Sequence, residues 1–488
     1  MKLTELLKDL TIIDSDLSIS GLTLNSNDVS EGNVFVALSG AKQHGLTYAE
    51  QAIERGAAAI LFDSNDIELA KSHITNPNVL AIAITNLAEN LGDIAARFYQ
   101  HPSQKMAVIG ITGTNGKTSC SQFLSQMLEN CGVIGTLGWG KYGQLKETLN
   151  TTPDALAIQK MLAAMKDENC ENIAMEVSSH GLAQGRINGT CFKGAVFTNF
   201  SRDHLDYHGT MEAYLETKLK LFNASQLEFA VINLDDVVSE KIIAAIPENV
   251  SIIGVTKTER QSPRGQTLIA QNVIPDLWGI TFEVDWQNQL QKVHVPLIGL
   301  FNLENVLCVL AVMLTLGVKL EDAAQHLSHL KPVNGRMERF GGENNQPLVI
   351  VDYAHTPDAL EKVLYSLRQH THGELGVVFG CGGNRDSGKR AQMGRVAEEF
   401  ADWMIITDDN PRFESNETIV EDILSGCFKK EAKVIHDREK AIRRAIEHAS
   451  SQDCVLIAGK GHEDYQEIEG VKYPFNDAQC VREIMAKL

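Results

Sequence analysis

The chain has 488 residues, 43% of them hydrophobic, and a formal net charge of -19 at pH 7. A chain of this size and composition can bury several cores, and its length predicts about three domains. The negative charge argues against general attraction to nucleic acid or to an anionic membrane surface, so any anionic ligand has to be captured locally.

The cysteines and the apolar runs of the sequence indicate the cellular compartment of the protein. The nine cysteines are scattered and include no Cys-x-x-Cys pair, which favours free thiols in a reducing compartment. The first ten residues, MKLTELLKDL, carry acids where a signal peptide needs an apolar core, and the longest apolar run, residues 306–318, is too short to span a bilayer. We therefore expect a cytoplasmic protein with no membrane segment, and a buried helix at that run.

The pattern of apolar runs predicts an α/β protein with three domains. Residues 1–86 contain short strand-like runs and form a small α/β domain; residues 87–331 alternate strands with longer amphipathic helices; residues 332–488 alternate most regularly. The strands predicted in the first domain are Val34–Leu38, Ala59–Phe62 and Leu80–Ile84.

The strongest single motif lies near the start of the second domain. The segment AVIGITGTNGKTSCSQFLSQML predicts a strand from Ala107 to Ile109, a glycine loop and then a helix. Loop N–H groups and the helix N-terminus can cradle phosphates, while Lys117 adds positive charge and Thr118 a hydroxyl for Mg²⁺. Ile111 stands where the full G-x-x-x-x-G-K-[ST] pattern needs its first glycine. The order of the parts still favours phosphate binding over a glycine turn without a ligand.

A second glycine-rich segment, GNRDSGKR at residues 383–390, has similar glycine spacing. It ends in arginine and so lacks the hydroxyl that binds Mg²⁺. We predict a basic loop for a carboxylate or phosphate there, with a plain helix-entry turn as the alternative, and no second nucleotide site.

Two further strand ends in the second domain carry metal-binding side chains. Glu176 follows the predicted strand Ile173–Met175, and RDHLDYH follows the predicted strand Val196–Thr198. The carboxylate and His204 could complete a Mg²⁺ site with Thr118. A transition metal held by His204 and His208 is the weaker alternative, because His-x-x-x-His has no evident third ligand here.

The third domain predicts a doubly wound parallel sheet with a ligand at one edge. Its strands are each followed by a polar loop, and ligands of open α/β sheets bind beyond the carboxyl ends of the strands. The strands are Val349–Val351, Gly376–Phe379, Met404–Ile406 and Val455–Ala458, and the loops are DYAH, GCGGNRD, DDNPR and GKGHE.

The loop TDDNPRFES at residues 407–415 holds an arginine on a stiff path. Pro411 fixes its own φ and favours an extended Asn410, so Arg412 is presented at the ligand edge. A guanidinium can bind a carboxylate through two parallel hydrogen bonds. The alternative is a turn in which Arg412 pairs with Asp408 or Asp409.

Together these motifs resemble the Mur ligases, ATP-dependent enzymes that form amide bonds in bacterial cell-wall precursor synthesis. The resemblance covers essentially the whole chain, whereas GTNGKT alone also fits the folylpolyglutamate synthetases. It rests on GTNGKT (113–118), NTTPD (150–154), EVSSHGL (176–182), TNFSRDHLDYHG (198–209), GLFNLENVL (299–307), NGRMERF (334–340), VDYAHTPDAL (351–360) and GKGHE (459–463).

The resemblance implies a three-substrate reaction in a monomer. The N-terminal domain would bind a UDP sugar, the central domain ATP with Mg²⁺, and the Rossmann-like C-terminal domain an amino acid. The implied reaction adds meso-2,6-diaminopimelate to UDP-N-acetylmuramoyl-L-alanyl-D-glutamate through an acyl phosphate and forms ADP. The alternatives are L-lysine as the acceptor, a folylpolyglutamate synthetase, or a regulatory nucleotide-binding protein.

The resemblance also implies the site residues. For the UDP-muramoyl-peptide these are Leu24, Ser26, Ala41, Lys42, Gln43, Asn150, Thr151, Thr152, Ser178, Gln184 and Arg186. For ATP they are Gly113, Thr114, Asn115, Gly116, Lys117, Thr118, Asn302, Asn305, Arg336 and Asp352. For diaminopimelate they are Arg385, Asp409, Asn410, Pro411, Arg412, Gly459 and Glu463. The sequence has Asn25-Ser26-Asn27 where the family commonly has Asp-Ser-Arg, and Ala41-Lys42-Gln43 where a histidine-led loop is frequent.

Lys117, His204 and Lys218 are the implied catalytic residues. Lys218 matches the lysine that the family carbamylates to N6-carboxylysine, and as a carbamate it would join Thr118, Glu176 and His204 in binding Mg²⁺. A protonated lysine would instead repel the cation. Without the resemblance, the residues around Lys218 indicate only a solvated helix position.

Overall fold

The computed structural model describes residues 1–15, 17–40, 43–276, 279–343, 345–429 and 431–487. Among the described residues, three large sheets with four, ten and six strands follow one another along the chain, and a two-stranded hairpin forms a fourth. Helices lie between the strands of each large sheet. The predicted α/β class is therefore confirmed.

The first sheet is parallel, with its four strands in chain order. Its residues alternate between two cores: Val34 and Leu61 pack with Leu87, whereas Phe35 and Ile60 pack with Ala49 on the other face. This is the period of two expected for a strand. The elements are α1 Leu3–Leu6, β1 Gly21–Thr23, β2 Asn33–Ala37, α2 Ala49–Glu54, β3 Ala59–Asp63, α3 Ile67–His73, β4 Leu80–Ile84 and α4 Leu87–Phe98.

The central sheet is mostly parallel, in the order β14-β13-β12-β11-β10-β9-β5-β8-β6-β7. Only the pairs that involve β7, β13 and β14 are antiparallel. Its strands are β5 Ala107–Thr112, β6 Cys131–Gly135, β7 Gly138–Lys141, β8 Asn172–Glu176, β9 Gly194–Phe197, β10 Phe229–Asn233, β11 Ser251–Thr256, β12 Gln266–Asp276, β13 Gly279–Trp286 and β14 Gln289–Val295. Its helices are α5 Lys117–Met127, α6 Ala155–Asp167, α7 Ser179–Ala183, α8 Leu205–His208, α9 Met211–Phe222, α10 Ser239–Ala245, α11 Leu300–Thr315 and α12 Leu320–Leu327.

The helix predicted at residues 306–318 is α11, and it is buried. All residues from Val306 to Met313 belong to the core that α11 shares with Phe123 and Leu124 of α5. Two polar side chains near its start, Asn302 and Asn305, are also buried at 4% exposure each. This packing brings the start of α11 next to the glycine loop that precedes α5.

The C-terminal sheet has the order β15-β16-β20-β17-β18-β19, and every pair from β16 to β19 is parallel. Helices cover both faces, α13 to α15 on one and α16 with α17 on the other, so the predicted doubly wound domain is confirmed. The elements are β15 Glu338–Gly341, β16 Leu348–Asp352, α13 Pro357–His370, β17 Leu375–Phe379, α14 Gly388–Phe400, β18 Trp403–Ile406, α15 Asn416–Leu424, β19 Lys433–Val434, α16 Arg438–His448, β20 Cys454–Ala458, the hairpin β21 Tyr465–Ile468 and β22 Val471–Pro474, and α17 Asp477–Met485.

The first two domains share a core. Helix α4 packs on the first sheet, and Ala155 and Leu156 of α6 join the same cluster. The predicted boundaries after residues 86 and 331 stay predictions. Within the described ranges, no helix combines the length and apolar surface that crossing a membrane requires.

Candidate active site

The glycine loop between β5 and α5 is shaped by two glycines with positive φ, Gly113 at +151° and Gly116 at +85°. A Cβ at Gly113 would lie 1.9 Å from Oγ1 of Thr198, and one at Gly116 would lie 2.3 Å from Oδ1 of Asn305. Neither position can therefore hold a side chain without displacing a neighbour. The loop leads directly into α5, whose first residue is Lys117.

Two lysines converge on one carbonyl of this loop. The Nζ atoms of Lys117 and Lys218 donate to the Gly113 oxygen at 2.8 and 2.9 Å, and Lys117 also donates to Thr114 O. Lys218 is 1% exposed, so the solvated position indicated by its sequence neighbourhood is wrong. Burial lowers the pKa of both lysines, and for Lys218 the nearby Lys117 cation lowers it further, well below its usual range.

Glu176 is the last residue of β8 and is fully buried. Its carboxylate accepts hydrogen bonds from Thr118 Oγ1 at 2.9 Å, from Ser121 Oγ at 3.3 Å, and from both N and Oγ1 of Thr136 at 3.0 Å. The predicted pairing of Glu176 with Thr118 is thus present in the geometry. A carboxylate beside a hydroxyl at the end of a phosphate loop is an oxygen-donor set of the kind Mg²⁺ prefers.

His204 lies at the start of α8 in the left-handed region, with φ +54°. Its Nε2 is 3.5 Å from Asp203 Oδ2, and its ring packs edge-on against His180 with centroids 4.8 Å apart. Burial lowers the pKa of His204, which favours a neutral ring with a free lone pair. His208 instead lies 2.9 Å from Ser179 Oγ. In the described part of the chain, no group of three or more His, Cys, Asp or Glu side chains is arranged as a metal site.

A cavity of about 700 Å³ lies between the central and C-terminal domains and collects most of these residues. The central domain contributes the phosphate loop and the proposed Mg²⁺ ligands, and the C-terminal domain contributes the loop after β16. Predicted site residues on its wall are Thr114, Asn115, Gly116, Lys117, Thr118, Asn150, Thr151, Thr152, Glu176, Ser178, Arg186, His204, Lys218, Asn305, Arg336 and Asp352. Nucleotide, acyl donor and metal are thereby predicted to share one space.

Asp352, the last residue of β16, lines this cavity and bonds to Met337, which lies just after the predicted boundary at residue 331. It is 6% exposed, and its carboxylate accepts hydrogen bonds from the backbone N–H groups of Met337 and Ala354, each at 2.8 Å. Burial raises the pKa of Asp352, while the nearby Arg336 cation opposes that shift. Arg336 itself lies over the ring of Tyr353, 4.5 Å from its centroid.

The residues predicted for the muramoyl-peptide form a connected set in the central domain. Thr152 Oγ1 donates to Glu176 O at 2.9 Å and lies 3.0 Å from Ser178 Oγ. Arg186 donates to Thr152 O through Nη1 at 2.7 Å and to Gln184 Oε1 through Nε at 2.9 Å. Gln184 therefore fixes the direction of Arg186.

The described residues among those predicted for the UDP sugar, Leu24, Ser26 and Gln43, lie in the first domain and do not line this cavity. Ser26 is 5% exposed and donates to Gln51 Oε1 at 2.7 Å, and Gln43 accepts a hydrogen bond from the Tyr48 hydroxyl. Leu24 packs at the edge of the core formed with α4. Ala41 and Lys42 lie outside the described residues.

Arg412 is held between the loop after β17 and the hairpin strand β21. Its Nε lies 3.0 Å from Glu467 Oε2 on β21, and its Nη1 donates to Gly383 O at 2.8 Å. The backbone of Arg412, with φ +54°, also donates to Glu467 O. Arg412 therefore pairs with Glu467, and the alternative pairing with Asp408 or Asp409 is wrong.

The other residues predicted for the amino acid gather around a buried lysine that the sequence prediction missed. Lys460 is fully buried, and its Nζ lies 3.0 Å from Asn410 Oδ1, 3.1 Å from Glu463 Oε2 and 3.9 Å from Asp409 Oδ1. Gly459 precedes it at φ +117°. Position within the GKGHE loop, between two predicted ligand residues, was the signal that could have identified Lys460.

The basic loop at residues 383–390 leads into α14, which starts at Gly388. Arg390 is 1% exposed and forms ion pairs with Glu414 at 2.6 Å and Asp422 at 2.9 Å. Arg385 remains exposed beside Gly382, the residue that Arg412 Nη1 also approaches. The segment is thus a helix entry that leaves Arg385 available at the ligand edge.

Family models match the chain in three consecutive segments. The Mur ligase family catalytic domain matches residues 18–99, the Mur ligase middle domain residues 111–313, and the Mur ligase glutamate ligase domain residues 335–461. The chain belongs to the Mur ligase family.

The similar proteins match over nearly their full lengths. A protein of Xylella fastidiosa is 46% identical over 100% of this chain and 98% of its own, and one of Coxiella burnetii is 44% identical over 96% of each. Both are named UDP-N-acetylmuramoyl-L-alanyl-D-glutamate–2,6-diaminopimelate ligase. A solved structure with the same name has a TM-score of 0.72 and 35% identity and covers 100% of this chain and 99% of its own.

Proposed function

We propose that the protein is the ligase that adds meso-2,6-diaminopimelate to UDP-N-acetylmuramoyl-L-alanyl-D-glutamate with ATP, in peptidoglycan precursor synthesis. The observation that carries this proposal is the position of Arg412, held at the ligand edge between the loop after β17 and the hairpin strand β21. Relatives that are 44–46% identical carry the name of this activity. Among the alternatives, the ligase that adds L-lysine differs from the proposed one only in the acceptor bound at the ligand edge of the C-terminal sheet.

The first chemical step makes a poor acyl donor reactive. The terminal carboxylate of the muramoyl-peptide attacks the γ-phosphorus of ATP, so that ADP leaves and an acyl phosphate forms. Lys117 and the N–H groups of the glycine loop offset negative charge on the transferring group. Lys117 now bonds to Gly113 O and Thr114 O, so it has to exchange these carbonyls for phosphate oxygens.

The second step forms the amide bond. The neutral amine of the acceptor attacks the acyl carbon, its nitrogen loses one proton to solvent, and the tetrahedral intermediate then expels inorganic phosphate as the C–O bond breaks. The attacking amine comes from the C-terminal domain and the acyl group from the central domain, so both must meet in the shared cavity. Closing that cavity protects the acyl phosphate from water.

The oxygen atoms of Thr118 and Glu176, 2.9 Å apart, suit a Mg²⁺ ion beside the phosphate loop. Thr118, Glu176 and His204 would hold it, together with Lys218 once it is carbamylated. When bound, Mg²⁺ supplies positive charge that neutralises the phosphate oxygens. Lys218 suits carbamylation because its buried amine favours the neutral form, which is the form that adds to CO₂.

Arg412 is proposed to bind the carboxylate by which diaminopimelate differs from lysine. Its Nε faces Glu467, so an incoming carboxylate would be bound by the remaining guanidinium N–H groups, with the exposed Arg385 nearby. A site built for this carboxylate rejects lysine by as much as about 10⁴ when its polar groups are left unpaired; here the unpaired groups would be the guanidinium N–H groups that face neither Glu467 nor Gly383 O.

The test compares phosphate release with meso-diaminopimelate and with L-lysine as acceptors. We expect release with diaminopimelate only when the UDP-muramoyl-dipeptide and ATP are both present. Preference for lysine would identify the alternative ligase, and ATP hydrolysis that needs neither substrate would indicate a regulatory nucleotide-binding protein.

Arg412 variants test the carboxylate assignment in the same assay. Arg412→Ala is expected to raise KM for diaminopimelate by roughly 100-fold or more while KM for ATP stays within about twofold. Arg412→Lys, which keeps the charge but loses the planar fork, is the matched control and should recover only part of the loss. Equal effects on diaminopimelate and ATP would reject the assignment.

A further inference from the structure

Lys460 is a fully buried cation that neither chemical step uses. Its side chain is 0% exposed and lies directly after the strand β20 and the positive-φ residue Gly459. Burying an ammonium group costs several kcal/mol unless oxygen atoms surround it. A lysine at such a place therefore indicates a specific set of partners.

The partners of Lys460 come from two loops that are not adjacent in the sheet. Asn410 and Asp409 follow β18, whereas Glu463 follows β20, and β17 lies between these two strands. Lys460 Nζ reaches Asn410 Oδ1 at 3.0 Å and Glu463 Oε2 at 3.1 Å, with Asp409 Oδ1 at 3.9 Å. The buried cation thus joins two loops of the ligand edge beneath the surface.

These contacts fix the direction of the Asn410 amide. Its Oδ1 accepts hydrogen bonds from Lys460 Nζ and from Glu467 N at 2.9 Å, and its Nδ2 donates to Glu463 Oε2 at 2.9 Å. A flip of the amide would place Nδ2 against two donors, Lys460 Nζ and Glu467 N, and Oδ1 against the Glu463 carboxylate. All three hydrogen bonds would break. Asn410 is 3% exposed, so water cannot readily replace them.

The same contacts orient the Glu463 carboxylate. Both Lys460 and Asn410 bond to its Oε2, and among the described residues no side-chain hydrogen bond reaches Oε1. The Glu463 side chain is 19% exposed, so one oxygen is anchored in the interior while the other is directed away from this anchor. An oxygen presented in this way suits an ammonium group of a ligand.

We propose that Lys460 is a positioning residue for the amino-acid acceptor, which holds Glu463 and Asn410 so that Glu463 Oε1 accepts a hydrogen bond from an ammonium group of that acceptor. Lys460 itself does not touch the ligand, because its donors are directed to the three oxygen atoms beneath the site. The proposal rests on the proposed function, since it requires an amino acid at this edge of the sheet.

The experiment compares Lys460→Met with the parent enzyme in steady-state assays. Methionine keeps the length of the side chain and removes its charge. We expect KM for diaminopimelate to rise by roughly 10- to 100-fold, while KM for ATP stays within about twofold. Lys472→Met is the matched control, because Lys472 is exposed and faces the same Tyr465 ring, at 4.0 Å against 5.6 Å for Lys460. This control should leave KM for diaminopimelate unchanged.

A double-mutant cycle separates positioning from a merely structural role. If Lys460 acts through Glu463, Lys460→Met combined with Glu463→Gln raises KM for diaminopimelate by less than the product of the two single effects. Multiplicative effects, or a Lys460→Met enzyme with unchanged KM, would overturn the proposal. If Lys460→Met does not fold, Asn410→Asp tests the proposal instead. The new carboxylate at residue 410 repels Glu463, so the same rise in KM for diaminopimelate is expected. An unchanged KM overturns the proposal.

The outcome also distinguishes this proposal from the proposed function. A parent enzyme that uses diaminopimelate, together with variants that behave like the parent, refutes the role of Lys460 alone. A parent enzyme that does not use diaminopimelate refutes the proposed function, and the role of Lys460 in binding that acceptor with it.

Discussion

Lys218 has the burial that its proposed carbamylation would require. It lies on α9 with 1% exposure, and its Nζ bonds to Gly113 O beside the phosphate loop. A protonated amine there would repel both Mg²⁺ and the neighbouring Lys117 ammonium group, whereas a carbamate would attract both cations. The lowered pKa of Lys218 therefore agrees with a site that works with a modified lysine.

Lys218→Ala tests whether Lys218 contributes a metal ligand. We expect phosphate release to fall by roughly 100-fold or more, because the variant lacks one anionic metal ligand. Short-chain carboxylates added to the assay should restore part of the activity by taking the place of the carbamate. Lys220→Ala, two positions along the same helix and exposed, is the control and should behave like the parent. Full activity of Lys218→Ala without added carboxylate would contradict the role.

At the scale of elements, the glycine loop depends on how closely α11 approaches it. Gly116 has φ +85°, and its missing Cβ leaves room for Asn305 Oδ1. Gly143 has nearly the same φ, +79°, but no atom lies within 4 Å of a Cβ built there. A side chain at either position would strain the backbone, because both residues lie in the left-handed region. Only a side chain at Gly116 would also collide with α11.

We therefore predict different outcomes for Gly116→Ala and Gly143→Ala. Each should lower the free energy of unfolding in urea by about 1–2 kcal/mol through backbone strain. Only Gly116→Ala should also raise KM for ATP, by roughly tenfold or more, since it displaces Asn305 and distorts the loop. A Gly116→Ala enzyme with the parent's KM for ATP would show that the loop tolerates this displacement.

The elements that the sequence predicted well are those whose apolar residues face a core. The predicted strand Leu80–Ile84 agrees with β4 at both ends, and the run at residues 306–318 became the buried α11. Strand β5 extends to Thr112, beyond the predicted end at Ile109, because Gly110 is buried in the sheet although glycine is depleted in strands. Burial by neighbouring strands decided this case, and a single sequence does not show it.

The parts of the site that the sequence did not predict depend on contacts between distant segments. Strand β21 is partly exposed and strand β22 is exposed, so the hairpin has no buried apolar face by which a sequence pattern could predict its place in the site. This hairpin supplies Glu467, which pairs with Arg412 from 55 residues away. The nearer acids Asp408 and Asp409 were the obvious candidates by sequence distance. Asp408 instead lies 2.9 Å from His436 Nδ1.

At the scale of the whole molecule, catalysis needs the C-terminal domain to meet the phosphate loop. Asp358, in the first turn of α13, makes this connection: its Oδ2 accepts hydrogen bonds from Ser201 Oγ at 3.0 Å and from Asn115 Nδ2 at 3.4 Å. Lys362, one turn later on the same helix, donates to the same oxygen at 3.0 Å. One carboxylate oxygen thus links the C-terminal domain to Asn115, the residue that precedes Gly116 in the glycine loop.

Because this link joins the C-terminal domain to Asn115 on the cavity wall, its loss should affect turnover more than stability. Asp358→Asn keeps the size of the side chain and weakens the charge-assisted bonds, so we expect kcat to fall by about fivefold while the thermal unfolding midpoint stays close to that of the parent. Glu361→Gln removes one charge from an exposed position of the same helix and should leave kcat unchanged. X-ray scattering with an ATP analogue and both other substrates adds an independent measurement, since a weaker link predicts a larger radius of gyration for Asp358→Asn than for either the parent or Glu361→Gln. Equal kcat and equal scattering for the two variants would mean that the domains meet without help from Asp358.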